Sequence, residues 1–168
     1  MWINSTALLL SASLVLSTAS SADEAAEQAA VAQQLPSVKI SLQQGLTAAA
    51  SQGQLLSGKF EVDEGHFQLS VYTAQGKKFY EVILDHRTGK VAKVEPITQG
   101  EDLAEAKSQA AATAQEKIPL KTAIDKAEQS LAGSRAVSVT PELKDGHAVA
   151  VVSLLKAGQY TSVSEPLE

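Results

Sequence analysis

Three histidines in this chain stand close to carboxylates: His66 follows Asp63 and Glu64, His86 follows Asp85, and His147 follows Asp145. Imidazole and carboxylate are the groups from which metal sites and acid–base pairs are assembled. A metal site needs ligands that converge and outer partners that orient them. These pairs fall instead at three separate turn signals, Asp63-Glu64-Gly65, Asp85 to Gly89 and Asp145-Gly146, and read as solvated turn residues. The run Asp85-His86-Arg87 could suggest proton transfer. A hairpin tip is wet, however, and a wet carboxylate is expected to keep its ordinary acidity. Asp85 is therefore read as a turn residue accepting backbone N–H groups, with Thr88 beside it and Gly89 supplying the positive φ of a bulged hairpin. No Ser occupies a turn that would present it to a His. No H-E-x-x-H helix, G-x-S-x-G elbow, P-loop or G-x-G-x-x-G turn occurs. The chain reads as noncatalytic, with no cofactor or metal expected. The alternative reading is an envelope ligand- or metal-binding protein that uses the turn histidines and acids.

The elements that must carry these turns follow from periodicity. "HFQLSVYTA" alternates Phe67, Leu69 and Val71 against Gln68, Ser70 and Tyr72, as a half-buried strand does. A short strand, "KFEV", precedes it, and "KKFYEVILDHRTGKV" continues with Tyr80, Val82 and Leu84 opposite Phe79, Glu81 and Ile83. The result is an antiparallel meander of three or four strands, one face of which is free for a helix. Phe79 and Tyr80 point to opposite sides, so a single helix cannot cover Tyr72, Phe79 and Tyr80 together. Either further parts of the chain cover the remainder, or it is a partner surface that works by side-chain docking or strand addition. Tyr72, Phe79, Tyr80, His86 and Arg87 are the candidate partner-facing residues.

Upstream, Ser41 and Gln44 have the S-x-x-Q spacing of a capping box. Leu42, Leu46 and Ala49 follow on one helical face, and Gly53 ends a helix expected near 41–52. Residues 23–37, rich in Ala and Gln, read as a frayed helix or spacer closed by Pro36. The first 22 residues carry no charge and run apolar to Leu16 before small residues, which is the pattern of a secretory signal peptide cleaved after Ala22. The apolar run is too short for a bilayer span, and no Cys follows it to take a lipid. A periplasmic or secreted location is expected, with no membrane span after cleavage. The net charge of −5 gives no electrostatic footprint for nucleic acid. Zero Cys rules out disulfide staples, and with 27 alanines the core must be thin.

Residues 101–117 read as an Ala-rich connecting helix with Glu101 and Asp102 at its start and Lys117 at its end, as the helix dipole favours. Then the first pattern returns. Lys117-Ile118-Pro119-Leu120 matches Lys39-Ile40-Ser41-Leu42 at an offset of 78, and Leu46 and Ala49 find Ile124 and Ala127. Gly65-His66 matches Gly146-His147 at an offset of 81; matching Gly89 to Gly158 would give 69. The first register is preferred, which makes the second copy shorter at its C-terminal end. The expected fold is α+β: a repeat over 38–98, a helical connector over 99–117 and a degenerate repeat over 118–168, each repeat one helix on an antiparallel meander.

In "GKKFYEVILDHRTGKVAKVE", Gly76, Tyr80-Glu81-Val82, Asp85, Thr88-Gly89 and Val91 resemble the signature hairpin of the PepSY domain family. "SLQQGLTAAASQG" is similar to that family's helix, and "GHAVAVVSLLKAGQYTSVSEPL" resembles a second copy lacking the D-x-x-T-G turn. The resemblance implies a small noncatalytic extracytoplasmic module that binds protein, of the kind found in inhibitory propeptides of secreted metallopeptidases. The expected partner is a secreted or periplasmic peptidase, inhibited or helped to fold by occlusion.

Overall fold

A computed structural model describes residues 19–168, with side chains from residue 22. The apolar run expected to be a signal peptide, residues 1–18, lies outside the described residues. Helix α1 (Ala19–Gln34) crosses the expected cleavage point. Beyond it come α2 (Leu42–Ala49), strands β1 (Gln54–Asp63), β2 (His66–Gln75), β3 (Lys78–Leu84) and β4 (Val91–Ile97), then α3 (Gly100–Thr113), α4 (Leu120–Ser130), β5 (Arg135–Lys144), β6 (His147–Lys156) and β7 (Gln159–Pro166). No described helix is long and apolar enough to cross a membrane.

The seven strands form one antiparallel sheet in the order β4-β3-β2-β1-β5-β6-β7. Its halves meet at β1 and β5 through only two residue pairs, Gly58↔Val139 and Lys59↔Ser138. α2 packs on β1, β2 and β3, and α4 on β5, β6 and β7. The two helices also touch one another: the Gln43 amide donates to Asp125 and Glu128 at 3.0 and 2.9 Å. Beneath them, Leu42, Leu46, Leu69, Val71, Val82, Ile124, Val139, Val152 and Leu154 make a closed apolar core. Each such Leu contributes about 2 kcal/mol by leaving water. Ala123, Ala127, Ala136, Ala148 and Ala150 belong to the same core, which is why the helices can sit close to the sheet.

Local chemistry accounts for most boundaries. Ser41 Oγ accepts from the Gln44 N–H at 3.1 Å, and Gln44 Oε1 accepts from the Ser41 N–H at 2.7 Å, completing the capping box. The β1–β2 and β5–β6 turns place Glu64-Gly65 and Asp145-Gly146 at positive φ, as tight hairpins require. Pro96 lies on the edge strand β4, where a missing N–H breaks no ladder.

Three expectations change. β1 is ten residues long rather than "KFEV", because a bulge between Leu55 and Ser57 interrupts the alternation. Leu55 reaches the main core while Leu56 is buried on the opposite face, so the period-two signal vanishes there. The stretch read as a frayed helix or spacer is helical to Gln34, and it buries Val31 and Leu35, with Val38 just beyond, in the main core, which a frayed segment would not. Its large apolar residues are few, but both are used. α3 stops at Thr113, whose hydroxyl donates to the carbonyls of Gln109 and Ala110, and Lys117 lies past its end with its N–H on the Leu167 carbonyl.

Candidate functional site

α3 decides what happens to the second face of the sheet. It lies against β5, β1 and β6 through Ala106, Ala112 and Thr113. Together with β1, β2 and β3 it closes a small core of Leu56, Ala74, Phe79 and Ala106, against which Tyr72, Ile97 and Leu103 pack. Phe79, expected to face a partner, is therefore largely covered, at 7% exposure. The Ala-rich helix is slim enough to lie directly over it. Tyr72 is half-buried on the same face, and Tyr80 is half-buried on the other.

Where the start of β3 and the end of β4 meet α3, a cleft of about 500 Å³ remains open. Its apolar lining is Phe79, Tyr80, Pro96, Ile97 and Leu103, and its charged lining is Lys77, Lys78 and Lys107. No carboxylate lines it, in a chain whose net charge is −5. Further along the edge strand, β4 leaves Val91 and Val94 exposed, at 37% and 40%. Val94 pairs with Val82 and Pro96 with Tyr80, so these side chains lie on the sheet face opposite α3, the face that Tyr80 shares.

His86 and Arg87 lie at the other end of β3, about 20 Å away by strand rise. The turn that holds them is built for folding. Asp85 Oδ1 accepts from the N–H groups of Arg87 and Thr88 at 2.9 and 2.7 Å, and Gly89 takes φ 70°. Those backbone bonds hold the Asp85 carboxyl below the usual carboxylate range, contrary to the ordinary acidity expected of an exposed tip. The His86 carbonyl accepts from the Lys39 N–H, and its ring stands edge-on to Phe67 at 4.9 Å. Burial lowers the imidazole's proton affinity, offset in part by Asp85. His66 and His147 sit at two other turns, and the His147 ring lies 3.3 Å from Glu168. Among the described residues, no three His, Asp or Glu side chains gather to hold a metal ion.

A polar cluster on the α3 side of the sheet escaped the sequence reading. Lys59 pairs with Glu61 at 2.5 Å and lies under the Tyr72 ring, 5.9 Å from its centroid. The Ser70 hydroxyl, fully buried, donates to Glu81 at 2.7 Å. Burial pushes the Tyr72 phenol up, reinforced by Glu61 and Glu81. Burial likewise raises the Glu81 carboxyl, eased by Ser70 and aggravated by Glu61 and Glu95. For Lys59, burial works to lower its proton affinity, but the hydrogen bond and charge of Glu61 outweigh it. The signal was present: strict alternation places Lys59, Glu61, Ser70, Tyr72 and Glu81 on one face.

No protein-family model matches the chain, and no curated protein matches it. Among solved structures, that of a candidate lipoprotein from Clostridium difficile 630 is similar over 78% of this chain and 88% of its own, at 11% identity and a TM-score of 0.44. Likeness at that level leaves fold, location and chemistry to be argued from this chain's own residues.

Proposed function

We propose that this chain is an exported, noncatalytic protein-binding module made of two PepSY-like units, residues 38–98 and 118–168, bridged by the α3 segment. The duplication is supported by buried pairs at one offset, Leu42 with Leu120, Leu46 with Ile124 and Ala49 with Ala127, all 78 apart. At an offset of 81 stand the bulges near Leu55 and Ala136 and the turns at Gly65 and Gly146. Of the two pairs joining the half-sheets, Gly58↔Val139 has that same offset, so the repeat would equate the two residues that face one another there. β4 has no counterpart after β7, which leaves the first unit alone with the additional edge strand.

The observation that carries the binding reading is the cleft beside Phe79 and Tyr80, together with Val91 and Val94 exposed on the other face of the edge strand. Apolar surface at a sheet edge, rimmed by charge, is the kind of feature a partner protein covers. The expected partner is a secreted or periplasmic peptidase, engaged by occlusion without making or breaking a bond. The mature chain mixed with secreted metallopeptidases of the same organism should give a complex and reduced turnover at micromolar concentration, weakened by Tyr80→Ser. Unchanged turnover with no complex would refute this reading.

A further inference from the structure

We infer that the cleft between β3, β4 and α3 takes a partner segment in which large apolar side chains are flanked on both sides by carboxylates. This rests on the binding reading above and specifies its chemistry. The apolar floor, Phe79, Ile97 and Leu103 with Tyr80 and Pro96, would seat the apolar side chains. A volume of about 500 Å³ lies in the range of working ligand sites. The charge comes from two elements: Lys77 and Lys78 close the β2–β3 turn, and Lys107 projects from α3. None of the three joins an ion pair among the described residues, so their charge is open to an occupant. Ammonium groups on two walls of an apolar cleft complement an occupant with negative charge on either side of its apolar centre. A fatty acid, with one carboxylate at one end, matches only one wall. Pro96 removes a donor from the β4 edge, which favours side-chain docking over continuous strand addition.

The test uses the mature chain and a short fluorescein-labelled peptide with two acidic residues on each side of a central Leu-Phe pair, followed by fluorescence polarisation. Micromolar binding is expected. It should weaken about tenfold for the Lys77→Glu/Lys107→Glu double variant, weaken for Leu103→Ala, and fall as salt rises. Circular dichroism would verify that each variant is folded. Equal affinity for a peptide with lysines replacing the acids would overturn the inference. So would displacement of the peptide by dodecanoate with tighter binding of the fatty acid, or occupation of the cleft by a second copy of the chain in sedimentation. A peptidase complex that survives the double variant overturns the cleft assignment while leaving the binding reading intact; absence of any complex removes both.

Discussion

Gly45 lies inside α2, where glycine costs a helix about 1 kcal/mol relative to alanine. Leu69 explains its presence: a Cβ at residue 45 would meet Leu69 Cδ2 at 2.1 Å and Cγ at 3.2 Å. Leu69 has no exposed surface, so it can yield only by leaving its rotamer or moving the helix. Overpacking with a clash this short, the forced rotamer included, falls in the upper part of the usual range, about 2–3 kcal/mol. After subtracting the propensity gain, Gly45→Ala should destabilise the mature chain by about 1–2 kcal/mol. Leu69→Ala alone should cost about 2–5 kcal/mol through its cavity. In that background the new methyl has room, so Gly45→Ala should reverse sign and stabilise by about 1 kcal/mol. The expected coupling is about 2–3 kcal/mol, near the upper end for contacting residues. In the second half, the positions matched at offsets of 78 and 81 are Ala123 and Ala150, both fully buried, so the double variant copies a pairing already present in the chain. Urea unfolding by far-UV circular dichroism is the assay, because the single Trp, Trp2, precedes the expected cleavage point. With a slope of about 2 kcal/mol per molar urea, Gly45→Ala should lower the midpoint by about 0.5–1 M. An equal effect of Gly45→Ala in both backgrounds would refute the packing argument.

Glu81→Gln keeps the acceptor for Ser70 and removes a charge crowded by Glu61 and Glu95. A raised carboxyl in the folded state means that the native protein holds its proton longer than the unfolded chain, so stability falls as pH rises through that raised range. The variant should be more stable near neutral pH, by less than about 1 kcal/mol after solvent screening. The advantage should disappear below the ordinary Glu value of 4.5; an advantage independent of pH would contradict the assignment. Arg135 donates to the carbonyls of Leu35 and Ile40 at 3.2 and 2.6 Å and stands over Phe60 at 5.8 Å. Arg135→Ala should cost about 2 kcal/mol and speed amide exchange in residues 31–40 ahead of the sheet. Protection that stays uniform would show that this arginine does not tether α1.

Much of the fold was written in short-range patterns. The capping box at Ser41, the alternation through β2 and β3, the Asp85 turn and the Asp145-Gly146 turn each depend on residues within a few positions of one another. β1 was harder to read because Leu55-Leu56 is a bulge, and a doubled apolar pair has no period. The candidate site was half legible. Phe79 and Tyr80 were singled out, but Lys77, Lys78 and Lys107 were not, since nothing local links a turn lysine to one on a helix 29 residues later.

By itself, the sequence determined most of the kinds of element and their turns, because backbone dihedrals and side-chain alternation answer to near neighbours. Tertiary structure decided that β1 and β5 join one sheet, that Val31 and Leu35 enter its core, and that α3 hides Phe79 while leaving a lysine-rimmed cleft. Those outcomes depend on which apolar faces find one another, and that is a property of the whole chain's burial rather than of any segment.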